Sequence, residues 1–425
     1  MKLHIEKAIY GGAGLARDEG KAIFVPFTLP GEVVEAHVVE DRTSYASAEL
    51  DNVIEASPER TLPACPYFGE CGGCHYQHAN YATQVEIKVR ILRETLERAH
   101  LTEIPAIRVL QGEPLGYRNR IRLHADRASS KLCYKRRGSH ANLAVEECPI
   151  AAPVLDRALR AMQARAAEWR LGELFNEIEL FTNAAPGAML LTLWCGLSKG
   201  AASDDLQRLW PQLVESMPQL AGAAVVGSGR GKQQGAILAH AGERALMYEA
   251  AGREYRVSLG SFFQVNRFLI DGLVELVTAE RSGTTVWDLY AGVGLFARAL
   301  ATRFDRVVAV ESAASSVADL RHNLGGSHRV VAAGTLDFLR RARADRQTRP
   351  DFAVVDPPRA GLGKEVTAML AEIRPRHITY VSCDPATLSR DLKSLLDSGY
   401  HLTNMQMVDL FPQTFHLESV AMLSL

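Results

Sequence analysis

With 425 residues, 47% hydrophobic and 23% charged, the chain has the composition of a soluble globular protein of two to three domains. A formal net charge of -1 gives no global basic field, so a nucleic-acid partner would have to be met by local patches. No apolar run approaches the roughly 18 residues of a membrane span, the opening MKLHIEKAIY lacks a signal-peptide core, and the seven cysteines are odd in number, so a cytoplasmic chain with reduced thiols is expected.

The first 55 residues read as short strands. AIFVPF and EVVEAHVVE are β-rich and separated by the turn signal TLPG, a small β-barrel pattern. The glycines of GGAGLA precede a strand rather than a helix, so they read as turn glycines and not as a nucleotide loop. Met1 to Glu55 holds five Lys/Arg against ten Asp/Glu, a net charge of -5 that cannot hold RNA by bulk attraction.

The chain then becomes cysteine-rich. Cys65, Cys71 and Cys74 are spaced by six and three positions, and Cys148 follows far off, directly before Pro149. Three close thiols plus a remote one before proline suit a four-iron cluster; zinc, which usually takes two close pairs, stays open at this point. Cys133 and Cys195 fit no such pattern and read as core residues. In QVEIKVRILRETLERAH, Val85, Val89, Leu92 and Leu96 have helical spacing.

The missing basic patch appears next. From Arg118 to Arg137 there are eight Lys/Arg against the single acid Asp126. Arg118, Arg120 and Arg122 alternate with Asn119, Ile121 and Leu123, which puts the arginines on one strand face. Together with Lys135, Arg136 and Arg137 they are the candidate phosphate contacts, against the plainer reading of a solvated strand face. The later run RRARADRQTR, Arg340 to Arg349, has no such context and reads as a solvated helix end. Up to about residue 256 the fold is legible only as α+β.

After Ser282, five near-continuous apolar strands alternate with helical segments: TTVWDLYAG, RVVAVES, RVVAAG, DFAVVDPP and HITYVSCDP. That alternation means an α/β, doubly wound parallel sheet, whose ligands bind beyond the carboxyl ends of the strands. In WDLYAGVGLF, Gly292 and Gly294 let the backbone approach a ligand, and Glu311 follows Gly292 by 19 positions, where a carboxylate can accept from ribose hydroxyls. Ala297 stands where a third glycine would complete the dinucleotide fingerprint, so this motif alone leaves a dinucleotide and S-adenosylmethionine both open.

FFQVN, DLYAGVGLF, DPPRAGL, SCDP and HLES stand in one order and spacing. With them the chain resembles the S-adenosylmethionine-dependent RNA uridine-5-methyltransferases, in particular the ribosomal RNA branch that carries a TRAM domain and an iron-sulfur cluster. The resemblance runs over essentially the whole chain. It implies a TRAM-like β-barrel at 1–58, a central domain with the cysteine cluster and RNA surface at 59–258, and a Rossmann-like class I methyltransferase domain at 259–425. By position it assigns Gln264, Tyr290, Glu311, Asp356 and, more weakly, Asp337 to the cofactor, with Gly292 and Gly294 in its loop. Cys65, Cys71, Cys74 and Cys148 would hold a [4Fe-4S] cluster bracing the fold. Ala291 replaces the family's usual cysteine, and Leu295 replaces an asparagine that touches the cofactor in several members. Arg359 stands where amino-methylating enzymes place an aromatic residue, which argues against nitrogen methylation.

Carbon 5 of uracil is a poor nucleophile, so methylating it requires prior addition of a nucleophile at carbon 6 and later removal of the carbon-5 proton. Cys383 in SCDP and Glu418 in FHLES carry these two roles, against the plainer readings of a buried hydrophobe and an ion-paired acid; His416 would orient the loop. The resulting expectation is a 23S ribosomal RNA uridine-5-methyltransferase acting on a flipped or single-stranded base. The ribosomal preference is the family's, because the transfer-RNA branch generally lacks both the cluster cysteines and the barrel. A transfer-RNA enzyme is one alternative, and a non-catalytic iron-sulfur RNA-binding protein another.

Overall fold

The computed structural model describes residues 1–425 apart from 186, 197, 228–234, 280, 327 and 345–348. Its N-terminal unit is a curled six-stranded sheet in the order Lys2–His4, Val33–Asp41, Tyr45–Glu55, Lys21–Pro26, Ala13–Asp18, Lys7–Ala8. Alternation builds it: Val34 and Ala36 face inward onto Ile5, Ala16 and Val25, all fully buried, while Glu35 and His37 face water.

A seven-stranded sheet forms the middle, with Arg120–Asp126 paired antiparallel to Lys131–Lys135 on one side and Glu177–Thr182 on the other. Helices Pro153–Arg165 and Lys199–Ser216 cover one of its faces, burying Ile121, Leu123, Leu159 and Leu209 in one core. Cys133 and Cys195 are buried in this unit.

The third sheet has eight strands in the order Arg329–Ala332, Phe304–Glu311, Gly283–Leu289, Phe352–Val355, His377–Ser382, Glu418–Ser424, His401–Val408, Ile107–Leu110. The first five are parallel, and Glu418–Ser424 is antiparallel to both its neighbours. Both faces are covered. Ile270–Thr278, Leu295–Leu300 and Ala314–Leu324 pack on one, and Tyr81–Arg98, Gly363–Ile373 and Pro385–Asp397 on the other. This is the doubly wound architecture of class I methyltransferases.

One part of this sheet comes from far upstream. Helix Tyr81–Arg98, capped by Asn80 accepting from the Thr83 amide at 2.9 Å, and edge strand Ile107–Leu110 lie within the stretch assigned by sequence to the central domain, yet complete the third sheet. Leu92 and Leu96 are fully buried against it, and Lys88 on the same helix forms a fully buried ion pair with Asp409 at 2.6 Å.

Candidate active site

The five parallel strands all finish at one edge of the third sheet, and four of them deliver a polar residue there. Tyr290 follows Gly283–Leu289, Glu311 ends Phe304–Glu311, Asp356 follows Phe352–Val355, and Cys383 follows His377–Ser382. Glu418 reaches the same edge for the opposite reason: its strand is antiparallel, so its first residue lies where the others finish, with Ser419 opposite Ser382. A cavity of about 460 Å³ elsewhere holds thiols (below); the one at this edge, about 610 Å³, is lined by Gln264, Tyr290, Gly292, Glu311, Asp356, Cys383 and Glu418. Seven residues chosen from sequence thus face one space.

The glycine turn divides its labour. Gly292, at φ 55°, borders the cavity, and a methyl group built there would meet nothing within 4 Å, which leaves room for a ligand against the backbone. Gly294, at φ 91°, is outside the lining; a methyl group there would stand 2.6 Å from Leu320, so this position serves helix packing. Glu311 is held by three backbone amides, those of Gly292 at 2.9 Å, Ser312 at 2.6 Å and Ala313 at 2.7 Å. A carboxylate so fixed keeps lone pairs free for hydroxyl donors.

The electrostatics are set by burial. Asp356 is pushed up to about 7 by desolvation, and Glu418, only 4% exposed, lies well above the carboxylate range through burial and then its neighbour Asp356. The Cys383 thiol is pushed up to about 12 by burial, then by Glu418 and Asp356, with Arg359 opposing. Gln264 donates to Asp356 at 3.3 Å. His416 borders the cavity and lies near Arg359, 3.4 Å from its guanidinium; burial and then that charge lower it to about 3, so it is neutral. A cavity with two desolvated acids and a thiol favours a cationic ligand. Phe262 and Phe411 also border it, and Phe262 is 61% exposed at its mouth. Its position in FFQVN was the one signal that could have found it.

Other expectations need correcting. Asp337 lies outside the cavity, on the exposed first turn of helix Thr335–Ala344, paired with Arg340 at 3.7 Å. The helix start points its carboxylate to solvent. Leu295 is buried in the apolar core. Of the second basic run, Arg340 also pairs with Glu365 and Arg343 with Glu372, while 345–348 lie outside the described residues.

The basic strand alternates as expected, with Ile121 and Leu123 buried, but its arginines are not a free cationic face. Arg120 pairs with Glu179 at 3.0 Å and lies over the Phe181 ring; Arg122 pairs with Glu177 and Glu179, both at 3.4 Å, over Trp194. The neighbouring strand supplies the acids, a pairing that no local pattern reveals. Arg136 pairs with Glu70, Arg137 with both oxygens of Glu49 at 2.6 Å, and Lys135 donates to Asn142 at 2.7 Å.

Arg118 departs furthest. It borders the cavity of about 460 Å³ that Cys65, Cys71, Cys74 and Cys148 also line, and its Nε is buried with no hydrogen-bond partner. The Gly73 amide donates to the Cys71 sulfur at 3.4 Å. Among the described residues no three His, Cys, Asp or Glu side chains gather closely enough to hold a single metal ion.

Comparison with known proteins bears on the methyltransferase sheet and the N-terminal unit. A family model described as tRNA (uracil-5-)-methyltransferase matches residues 80–425, and a TRAM domain model matches 2–50. An RNA methyltransferase of Aquifex aeolicus is 32% identical over 100% of this chain and 98% of its own length. The 23S rRNA (uracil(1939)-C(5))-methyltransferase RlmD of Salmonella typhimurium is 31% identical over 97% of this chain and 93% of its own. Among solved structures, the Pyrococcus abyssi tRNA (uracil-54, C5)-methyltransferase in complex with S-adenosyl-L-homocysteine superposes with a TM-score of 0.77 at 24% identity, covering 100% of both chains.

Proposed function

Because the chain belongs to the tRNA (uracil-5-)-methyltransferase family, we propose that it methylates carbon 5 of a uridine in 23S ribosomal RNA through a covalent bond to Cys383. The observation that carries this reading is the meeting of Cys383, Asp356 and Glu418 with Gln264, Tyr290 and Glu311 around one cavity. The ribosomal substrate is supported by the RlmD relatives, and RNA binding in general by the TRAM unit.

S-adenosylmethionine, held by Gln264, Tyr290, Glu311 and Asp356, supplies the methyl group and a positive charge. Facing a cation, Asp356 and Glu418 ionise more readily than burial alone allows, and the field holding up the Cys383 thiol is offset. Cys383, its proton given up to solvent, then forms a carbon-sulfur bond at carbon 6 of uracil. The electrons of the carbon 5–carbon 6 double bond pass into an enolate, whose nucleophilic carbon 5 takes the methyl group, with the demethylated cofactor as leaving group. After methylation Glu418 takes the carbon-5 proton; the double bond re-forms and the carbon-sulfur bond breaks. Cys383 leaves as thiolate.

The four cysteines of the second cavity fit a [4Fe-4S] cluster. A polynuclear group spreads its thiolates around a space instead of converging them on one ion, in keeping with four thiols on one cavity and no single-ion site. Four thiolates on such a cluster carry net negative charge, which Arg118 and its unpartnered Nε would offset. Cys65, Cys71, Cys74 and Cys148 then cross-link the segment around 65–78 to the central sheet.

The test is substrate RNA carrying 5-fluorouridine, from which no proton can be abstracted at carbon 5. A stable protein–RNA adduct forms with the wild-type chain and is absent with Cys383→Ala. An adduct persisting in that variant would reassign the nucleophile.

A further inference from the structure

The loop 409–417, which joins strand His401–Val408 to Glu418, is held residue by residue from outside. Four consecutive carbonyls each accept from a different element. Leu410 takes Asn266 Nδ2 at 3.2 Å, Phe411 takes Lys88 Nζ at 2.9 Å, and Pro412 takes the Tyr117 hydroxyl at 3.0 Å. Gln413 takes the amides of His75 and Tyr76 at 2.8 and 3.0 Å, immediately after Cys74.

Gln413 stands out. Its φ is 68°, a left-handed conformation that a long side chain rarely adopts. It is 7% exposed, and both its side chain and its backbone meet the side-chain amide of Gln84 on helix Tyr81–Arg98. Gln84 Nε2 donates to Gln413 Oε1 at 3.0 Å, and the backbone N–H of Gln413 donates to Gln84 Oε1 at 3.0 Å. Gln84 is itself 1% exposed and fixed by donating to the Ala79 carbonyl at 2.9 Å. A strained residue persists only where its surroundings over-determine it, and this one lies three and five positions before His416 and Glu418. Neither Gln413 nor Gln84 lines the cavity.

We propose that Gln413 is a positioning residue: its two hydrogen bonds with Gln84, one through its side-chain oxygen and one from its backbone N–H, lock the loop in the conformation that carries Glu418 into the cavity. The inference rests on the reading of Glu418 as the base, and it makes the cysteine segment, through His75 and Tyr76, a second support of the same loop. Loss of the lock therefore acts on proton removal after methyl transfer, not on cofactor binding.

Two variants test it on the full chain. Gln84→Met keeps the volume and loses both hydrogen bonds to the loop; Gln413→Asn tolerates the left-handed backbone and loses the reach. Each is mixed with methyl-labelled S-adenosylmethionine and whichever unmodified transcript, 23S ribosomal or transfer RNA, the wild-type chain labels. Glu418→Gln runs beside them. The expected result is first-turnover methyl transfer near wild type, cofactor KM within about twofold, and a labelled adduct whose decay is slowed about tenfold or more, since small misplacements of a reacting group cost that much. Wild-type decay in both folded variants, with a persistent adduct in Glu418→Gln, overturns the positioning role alone. Wild-type decay in Glu418→Gln overturns the base assignment and the inference with it. If transfer, cofactor KM and melting midpoint all fall together with no slowed decay, Gln413 is merely structural and the proposal fails.

Discussion

The two cavities bury the same functional group under opposite fields. In the catalytic cavity the thiol of Cys383 has Glu418 and Asp356 beside it, and they add to the effect of burial. In the cysteine cavity burial also raises Cys148, but a hydrogen bond from Tyr134 and the charge of Arg118 pull the other way. Identical chemistry is thus sorted by its neighbours: acids make a space that waits for a cation, and an arginine makes one that accepts an anion. On the proposed reading this difference separates the one cysteine that would act as nucleophile, once a cation offsets its acids, from the four that would serve as ligands.

The sharpest way to break this comparison is to remove one thiol from each side. Cys383→Ala abolishes turnover and leaves the iron content at about four per chain; Cys74→Ser does the reverse, losing iron and the brown colour of the anaerobically purified protein while retaining covalent capture of RNA. Stoichiometric zinc without iron in the wild-type chain would remove the cluster from the comparison altogether.

Glu418→Gln comes next. It keeps the size of the side chain and loses its basicity, so methylated RNA stays bound to Cys383 and release slows on the order of a hundredfold. The readout is a heat-stable shifted band carrying label from the methyl donor. No labelled band from a folded, RNA-binding variant would end the assignment.

A smaller effect concerns Asp288, fully buried beneath the glycine turn, accepting from the Ala297 amide at 2.8 Å and pushed up to about 7 by burial. Its folded-state affinity for a proton exceeds that of the unfolded chain, so its contribution to stability is complete below about pH 4 and is lost as pH rises to about 7. Asp288→Asn flattens this decline in melting midpoint. An unchanged slope between those pH values would mean that the acid is not carrying it.

The smallest effect is expected on the basic strand. Replacing Arg118, Arg120 and Arg122 together reduces the salt dependence of RNA binding by about one phosphate contact rather than three, because Arg120 is committed to Glu179 and Arg118 to the cysteine cavity. A loss of three contacts' worth of slope would show that RNA displaces those partners.

What sequence could reveal here followed from periodicity and position. The parallel strands are buried on both faces and read as continuous apolar runs, and their carboxyl ends name the cavity residues almost directly. Pairings across distance had no such signature. Glu179 meets Arg120 across 59 positions, Ile107–Leu110 joins a strand some 300 positions on, and Gln413 shows its left-handed backbone only once Gln84, 329 positions earlier, is beside it. Asp337 misled for a local reason: the first turn of its helix turns outward.

The edge strand Ile107–Leu110 also sets a timetable for synthesis. Its partner, residues 405–408, emerges from the ribosome about 300 residues later, and until then the helix at 81–98 has no sheet to cover and Lys88 has no Asp409. The barrel, whose strand pairings all close within the first 55 residues, can form its sheet early; the catalytic sheet cannot finish until nearly the whole chain is made. Nascent chains of this protein would therefore carry the apolar face of helix Tyr81–Arg98 uncovered and strand Ile107–Leu110 unpaired for most of their elongation.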